Sequence, residues 1–176
     1  MKCIKCQNSG TTGLKHLGPM CNKCFLRTIE KRVRKDLTTN KIFAPNDHIL
    51  LINDKSVKAA ICRYFLDSIK KDIPLDIHIK SIKTGEYDKI VTSANLDYEI
   101  ESFLESLFTN KPYTQSKEVH LLRTVSDEEI ITLKKILKLK GSVKKTKMGK
   151  ILDKLEKQYP GSKFGLFKSS SRTSAV

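Results

Sequence analysis

The amino-acid sequence predicts an α/β fold with a mainly parallel sheet, flanking helices and a small cysteine-rich module at the amino terminus. Four of the five cysteines lie within the first 24 residues, and the rest of the 176-residue chain alternates short apolar runs with amphipathic helical patterns. Strands that alternate with helices favour parallel pairing, because each helix makes the crossover connection. We therefore expect a metal-binding module over 1–42, an α/β domain over 43–168 and a flexible tail over 169–176.

The cysteines of the module form two pairs, Cys3-x-x-Cys6 and Cys21-x-x-Cys24, which are separated by 14 residues. Each Cys-x-x-Cys turn directs two thiolates towards one point, and two such turns make the tetrahedral sulfur site that structural Zn²⁺ prefers. A disulfide pair and an iron centre are the alternatives. Because four protein ligands leave no coordination position for a substrate, we expect a structural zinc-ribbon module.

The first helix and the first strand of the domain follow the module. A helix is predicted directly after the second cysteine pair, because Phe25, Ile29 and Val33 recur every four residues. It is expected to end near residues 38–40. The continuous apolar run 48–52 is typical of a buried strand.

The middle of the chain continues this alternation. Apolar residues at spacings of three and four predict a helix that begins near Val57 and ends near Asp72 and Pro74, and alternating residues over 75–80 predict a strand with one exposed face. His78 lies on that strand and is expected to be a surface residue rather than a metal ligand. A further short strand is predicted over 89–92. Residues 97–109 show the clearest helical pattern, and we expect its apolar side chains to lie in the core.

The last third of the chain is predicted to contain two helices and one strand. Ser126 and Glu129 have the spacing of a capping box, which begins a helix that Gly141 ends. A second helix is predicted over 148–158. The apolar residues of 163–167 predict a short final strand.

The net charge of +15 is concentrated in two blocks. Residues 1–42 have a net charge of +8, and residues 134–150 have another +8 without any acidic residue. Lys and Arg neutralise phosphates, so contact with RNA or DNA is favoured over a merely solvated surface for residues 1–42. For residues 134–150, nucleic-acid contact and a solvated loop are equally favoured. The candidate RNA-binding residues are Lys23, Arg27, Lys31, Arg32, Arg34, Lys35, Lys144, Lys145 and Lys147.

The sequence shows no sign of a membrane segment. No apolar run approaches 18 residues, and the amino terminus lacks the apolar stretch of a signal peptide. Cysteine spacing of the metal-binding type suits a reducing compartment. We therefore expect a cytoplasmic protein without a membrane partner.

Four segments resemble, in the same order, those of a known family. They are the cysteine pairs with the basic helix and strand that follow, and the segments 88–97, 122–130 and 155–164. The family is that of the tRNA 2-thiolation proteins, which are PP-loop (ATP-pyrophosphatase-type) enzymes and their relatives. The resemblance covers nearly the whole chain. It implies a reduced PP-loop fold, of the adenine nucleotide alpha hydrolase-like type, after the zinc-ribbon module.

The nucleotide-binding loop departs from the pattern of the family. The enzymes have Ser-Gly-Gly-x-Asp-Ser after the first strand, and the glycines let backbone N–H groups approach the ATP phosphates. This chain has instead, in order, Asn53, Asp54, Lys55 and Ser56. Asp54 places negative charge where a phosphate would bind. A Ser-Ala pair at 93–94 also replaces the Gly-His pair of the family, although Asn95 and Asp97 persist, so we expect no ATP binding.

The catalytic members of the family also use cysteines within the domain, for an iron–sulfur cluster or a sulfur relay. Cys62 is the only cysteine after the module. One thiol cannot hold a cluster, and we expect Cys62 to be a packing residue. The resemblance is therefore closest to the non-catalytic subunit of the family, cytoplasmic tRNA 2-thiolation protein 2.

This resemblance implies a protein without chemistry of its own. Its partners would be tRNA, a catalytic paralogue in a heteromer and, through the complex, a ubiquitin-like sulfur carrier, and its role would be in the 2-thiolation of wobble uridine 34. Two alternatives remain open. One is an active ATP-dependent tRNA 2-thiolase with an atypical loop, and the other is a small zinc-ribbon regulator that binds nucleic acid.

Overall fold

A four-stranded parallel sheet lies at the centre of the protein. The computed structural model describes residues 1–111, 113 and 116–173, and the side chains among them as far as Ser170. The strands are β1 (Thr12–Leu14), β2 (Gly18–Met20), β3 (His48–Ile52), β4 (Asp76–Lys80), β5 (Lys89–Asn95) and β6 (Val119–Leu122). The helices are α1 (Asn22–Thr39), α2 (Val57–Ile69), α3 (Leu96–Phe108), α4 (Asp127–Ile136), α5 (Lys147–Gln158) and α6 (Ser162–Thr173).

The order of the central sheet is β4-β3-β5-β6, and all three strand pairs are parallel. β3 pairs on both sides, and Ile49, Leu50 and Leu51 are fully buried, which explains why this strand reads as a continuous apolar run. The predicted α/β class with a parallel sheet is therefore confirmed. None of the helices that the structure describes is both long enough and apolar enough to cross a membrane.

Two hydrophobic clusters make the core. The larger one joins β3 and β5 to the inner faces of α1, α2 and α4, and the smaller one joins α3 to α5 and α6. α1 contributes Phe25, Ile29, Val33 and Leu37 to the larger cluster. The helix that begins at the cysteine module is therefore packed into the same core as the sheet.

The cysteine module consists of the antiparallel hairpin β1–β2 and the turns on either side of it. Nε2 of His16, at the tip of the hairpin, lies 3.0 Å from Oε1 of the buried Glu129 at the start of α4. Nη2 of Arg32 donates to Oε2 of the same carboxylate at 2.5 Å. These contacts hold the module and α1 against α4.

The structure corrects several details of the sequence prediction. α4 ends at Ile136, before Gly141, and Leu137 is its carboxyl-terminal cap. Leu107 and Phe108 are 56% and 74% exposed at the end of α3, although the helical pattern places both in the core. The apolar face of α3 packs against α5 and α6, and these two residues of its last turn are not part of that cluster, so the apolar spacing alone does not guarantee their burial.

The predicted strand over 163–167 is also wrong, because these residues lie in α6. The carboxylate of Glu156 accepts hydrogen bonds from the N–H groups of Gly161 and Lys163 and from the Ser162 hydroxyl, at 2.7 to 3.0 Å. A side chain from α5 therefore satisfies the first amide groups of α6. The predicted tail 169–176 begins inside this helix, and residues 174–176 lie outside the described residues.

Candidate nucleotide pocket and cysteine site

A cavity of about 750 Å³ opens at the carboxyl ends of β3 and β5. β3 and β5 are neighbours in the sheet, but the chain leaves β3 to form β4 on the opposite side of β3. The strand order therefore reverses between β3 and β5, which makes this position a topological switch point. Ligands of open parallel sheets bind at such a switch point, outside the carboxyl ends of the strands. The walls of the cavity include Lys55 and Lys58 near α2, Ser93 after the middle of β5, and Lys144.

The loop 53–56 forms one edge of this cavity, and its own side chains occupy several of its backbone donors. The Lys55 N–H donates to Asn53 Oδ1 at 3.0 Å, and the Ser56 N–H donates to Asp54 Oδ1 at 2.9 Å. Ser56 Oγ accepts from the N–H of Ala59 at 3.1 Å and caps α2. Amide groups that a glycine-rich loop would offer to a phosphate are here used within the chain.

Asp54 places a carboxylate beside the amino terminus of α2. Ser93 Oγ donates to its Oδ2 at 2.8 Å. Burial raises the pKa of Asp54, but the hydrogen bonds from Ser56 and Ser93 outweigh that effect, so the pKa lies below its usual value. The group is ionised at neutral pH, and it repels an anion at the position where the helix dipole would attract one.

A buried polar network lies behind the cavity. Lys58 Nζ contacts Asn95 Oδ1 and Asp127 Oδ1, each at 2.9 Å. The side-chain amide of Asn95, which is fully buried, donates to Asp127 Oδ1 at 2.9 Å and to the Val125 carbonyl at 3.2 Å. The Asp127 N–H in turn donates to Asp97 Oδ2 at 2.7 Å. Asn95 and Asp97 are therefore positioned by internal contacts.

Lys163 completes the network from α6. Its ammonium group is 1% exposed, contacts Asp97 and lies 2.7 Å from Asp153 Oδ1. Burial lowers the pKa of Lys163, but the two carboxylates more than offset it and raise the pKa above its usual value. Burial and the charge of Asp127 raise the pKa of Asp97. The charge of this buried lysine is thus balanced by two carboxylates within the chain.

The four module cysteines converge on one point. Their sulfur atoms all lie within 4.8 Å of one another, and Cys6 Sγ is 3.6 Å from Cys21 Sγ. Sulfur ligands of one tetrahedral ion with bonds of about 2.3 Å lie about 3.8 Å apart. The donor set therefore fits a single metal ion, whereas a four-iron cluster holds its cysteine ligands farther apart. All four thiols are free of disulfide bonds.

The electrostatics of these thiols also call for a cation. Hydrogen bonds, first of all from the backbone of Cys21, lower the pKa of Cys3 to about 6. The neighbouring sulfur atoms of Cys6 and Cys21 raise the pKa of Cys24 to about 12. The Cys24 thiol is difficult to ionise because its thiolate would lie close to the sulfur atoms of the other cysteines, whose negative charge would repel it. A metal ion removes this obstacle, since it stabilises all four thiolates.

Cys62 lies apart from that site. It is fully buried in α2, its Sγ is 3.7 Å from the Thr92 carbonyl, and burial raises the pKa of its thiol. A thiol with these properties is not a nucleophile at neutral pH. The interpretation of Cys62 as a packing residue is therefore consistent with its position.

The predicted RNA-binding residues fall into two groups. Lys23, Arg27, Lys31 and Lys35 are exposed and form a row, four residues apart, on the side of α1 opposite its buried face. Among the remaining candidates, Lys144 and Lys147 are exposed near the start of α5.

Three candidates are bound to carboxylates within the chain. Arg32 contacts Glu129 and lies over the Phe164 ring, 5.0 Å from its centroid. Arg34 contacts Glu30, Asp72 and Ser68, and Lys145 contacts Asp153. The helical pattern of α1 does not reveal the contacts of Arg32 with Glu129 or of Arg34 with Ser68 and Asp72, because these partners lie in α4, in α2 and just after α2.

Lys58 and Lys163, the lysines of the buried network, are not among the functional residues that the sequence predicts. Lys58 had a recognisable signal, because it lies in the first turn of the helix that follows the central strand. Lys163 had none, since its burial depends on carboxylates 10 and 66 residues away.

The structure is therefore an α/β fold with a parallel sheet, a cavity at its switch point and an amino-terminal four-cysteine module. No family model and no curated protein matches the sequence. Among solved structures, the U34-tRNA thiolase NcsA from Methanococcus maripaludis, determined with its [4Fe-4S] cluster, is similar with a TM-score of 0.79. The match has 17% sequence identity and covers 98% of this chain and 86% of the NcsA chain. The chain therefore has the fold of a PP-loop tRNA thiolation enzyme.

Proposed function

We propose that this protein is a non-catalytic subunit of a tRNA-thiolating complex. It pairs with a catalytic PP-loop thiolase and helps to bind tRNA for the 2-thiolation of wobble uridine 34. The similarity of its fold to a U34-tRNA thiolase supports a role in tRNA thiolation. The observation that carries the non-catalytic part is the loop 53–56, whose backbone donors are occupied by its own side chains and whose Asp54 is ionised.

The cysteine content supports the same assignment. The similar thiolase carries a [4Fe-4S] cluster. Outside its amino-terminal module this chain has one cysteine, Cys62, which is buried and has a raised pKa. A cluster needs several thiolate ligands, and a sulfur relay needs an accessible thiol. The domain provides neither, so the sulfur chemistry belongs to the catalytic partner and its ubiquitin-like sulfur carrier.

The cysteine module takes structural Zn²⁺ in this proposal. Its four sulfur atoms have the spacing for one tetrahedral ion and leave no open coordination position. The ion fixes the turns from which α1 begins, because Cys21 is the amino-terminal cap of that helix. It therefore also fixes the orientation of the exposed basic row on α1.

That basic row is the proposed tRNA contact. Lys23, Arg27, Lys31 and Lys35 are exposed along about 18 Å of helix, a length over which phosphates of one strand repeat several times. Contacts of this kind position RNA without reading its sequence. Leu107 and Phe108, which are 56% and 74% exposed at the end of α3, are the proposed apolar contact with the catalytic partner.

Co-expression with the catalytic thiolase of the same host tests the proposal. We expect the two chains to co-purify. We also expect the catalytic thiolase alone to thiolate uridine less than the purified complex does. A Leu107→Ser/Phe108→Ser variant should reduce co-purification, whereas Ile82→Ser, which changes another exposed apolar residue (70% exposed), should not. Thiolation by this chain alone, with ATP and a sulfur donor, would contradict the proposal.

One observation favours an active ATP-dependent thiolase as the second candidate. The cavity is retained at about 750 Å³, and lysines 55, 58 and 144 line it. Mg²⁺-dependent ATP binding in the presence of tRNA would support this candidate. A zinc-ribbon regulator has no comparable support, because the similarity to the thiolase extends over 98% of the chain.

A further inference from the structure

A second group of metal-type ligands lies at the amino-terminal ends of β3 and β4. His48 and Asp76 begin these two strands and are directly opposite each other in the parallel register. His78 follows Asp76 by two residues and therefore projects from the same face of the sheet. The cavity lies at the carboxyl ends of the strands, so this group is at the other end of the sheet.

The distances within this group are close to those of metal ligands. His48 Nδ1 and His78 Nε2 each lie 3.0 Å from the same oxygen, Asp76 Oδ2, and all three atoms lie within 4.8 Å of one another. Both contacts are hydrogen bonds, and two ligand atoms of a tetrahedral ion with bonds of about 2.1 Å lie about 3.4 Å apart. A bound ion would therefore replace these hydrogen bonds, with small rotations of the three exposed side chains.

Neighbouring groups hold the ligands in place. Asp88 Oδ2 accepts a hydrogen bond of 2.8 Å from the His48 N–H and fixes the start of β3. The ring of Tyr87 packs against His78 with 5.6 Å between centroids. These two contacts restrict the start of β3 and the position of the His78 ring.

We propose that His48, Asp76 and His78 form a second metal site, which binds one divalent transition-metal ion of the Zn²⁺ type. Two imidazole nitrogens and a carboxylate suit such an ion better than Mg²⁺ or Ca²⁺, which prefer oxygen ligands. The side chains of these residues are 62%, 51% and 45% exposed, so the ion enters directly from solvent. Three protein ligands leave at least one coordination position open, in contrast to the closed four-cysteine site.

Zinc titration of the full-length protein, with the four-cysteine site already loaded, tests this site by calorimetry. We expect one additional equivalent of Zn²⁺ to bind. His78→Gln and Asp76→Asn should each weaken that binding at least about 100-fold, since loss of a ligand exceeds the 10–100-fold effect of losing a supporting group. Asp67→Asn removes an exposed carboxylate from α2 and should leave the titration unchanged.

A second measurement identifies the atoms. Zinc binding should shift the ring ¹⁵N resonances of His48 Nδ1 and His78 Nε2, and the ring resonances of His16 and His120 should stay in place. Because the three ligands are exposed, the variants should keep the circular dichroism spectrum of the wild type. The proposal is overturned if only the four-cysteine equivalent binds, or if the additional equivalent binds equally well to a His48→Gln/His78→Gln variant.

Discussion

Ser93 donates a 2.8 Å hydrogen bond to Asp54 and thereby joins β5 to the loop that follows β3. Both residues line the cavity at the carboxyl ends of β3 and β5, where open parallel sheets bind their ligands. It also keeps the Asp54 carboxylate ionised, since hydrogen bonds from Ser93 and Ser56 lower its pKa against the effect of burial. Asp54 thus places a negative charge at one edge of the cavity, beside the lysines that also line it.

Replacing Asp54 by Asn should therefore improve anion binding. Asn retains the oxygen that accepts the Ser56 N–H, so the turn should persist, but the repulsive charge is removed. We expect affinity for inorganic pyrophosphate to rise about 5-fold, which corresponds to about 1 kcal/mol. Calorimetry at low salt measures it.

The matched control for this prediction is Asp67→Asn, which changes net charge equally on the exposed side of α2. It should leave pyrophosphate binding within twofold of the wild type. Tight Mg²⁺-ATP binding by the wild type, unchanged in Asp54→Asn, would show that the loop tolerates phosphates despite its side chains.

The four-cysteine site predicts a linked loss of metal and local structure. A Cys21→Ser/Cys24→Ser variant should lose its one equivalent of metal, because two ligands cannot hold a structural ion. The hydroxyl that replaces the Cys21 thiol can still cap α1, so the helix itself should remain. Elemental analysis gives the metal content, and hydrogen exchange over residues 1–26 reports the loosening of the module.

Cys62→Ala is the control for this cysteine experiment, because it removes a thiol that lies outside the metal site. It should keep the full metal content while destabilising the core by about 1 kcal/mol, as expected for a small cavity. The structural role of the ion is excluded if the double variant retains hydrogen-exchange protection over 1–26 after its metal is lost.

Local patterns predicted most of the elements because the information for them is local. The capping box of Ser126 and Glu129 is present with both of its hydrogen bonds, and the buried strand 48–52 is central in the sheet. Local patterns do not predict the start of α6, because its conformation depends on residues that are distant in the sequence. Its first amides are satisfied by Glu156, and the burial of Lys163 depends on Asp97, so distant residues decide its conformation.

The candidate sites divide in the same way, into those that a local motif predicts and those that depend on contacts between distant residues. The cysteine site was predictable because its four ligands occur in two short motifs. The exposed part of the basic row followed from helical spacing, but the ion pairs of Arg32 and Arg34 did not. His78 is predicted to be an isolated surface residue, and its side chain is exposed. His48, on another strand 30 positions earlier, contacts the same Asp76 carboxylate. Only the parallel register of β3 and β4 brings the two imidazoles together.

Charge reversal on the basic row should weaken tRNA binding. In Arg27→Glu/Lys31→Glu/Lys35→Glu, three exposed cations opposite the buried face of α1 are reversed. We expect the slope of log K against log salt to fall by about 2 to 3, because each phosphate contact contributes about 0.7 to 0.9. Filter binding of tRNA at several salt concentrations measures this slope.

An equal charge change elsewhere separates a specific surface from net charge. The control variant is Arg63→Glu/Lys70→Glu/Lys71→Glu, at exposed positions on and just after α2. This control variant should retain most of the slope of log K for tRNA binding against log salt. If both triple variants reduce the slope equally, long-range attraction by the whole protein explains binding, and α1 is not the tRNA contact.

Glu129 should be the main acid-sensitive link between the module and the domain. Burial raises its pKa, but hydrogen bonds and charge from His16 and Arg32 outweigh it and lower the pKa. Glu129→Gln keeps an acceptor for the capping box but leaves Arg32 without a counter-charge. We expect a loss of about 2 to 3 kcal/mol at pH 7, less than for a fully buried pair because Arg32 is 25% exposed.

The pH dependence of this loss identifies its electrostatic origin. Because the pKa of Glu129 is lowered in the folded state, its ionised carboxylate stabilises the protein at pH values above the unfolded pKa of about 4.3. This contribution disappears as the pH falls through the pKa of the folded state. The difference in unfolding free energy between wild type and Glu129→Gln should therefore stay at about 2 to 3 kcal/mol from about pH 6 to 8 and shrink below about pH 4.3. Glu128→Gln, one residue earlier and half-exposed, should cost about 0.5 kcal/mol or less. A difference that persists unchanged in acid would assign the effect of Glu129 to packing and not to its charge.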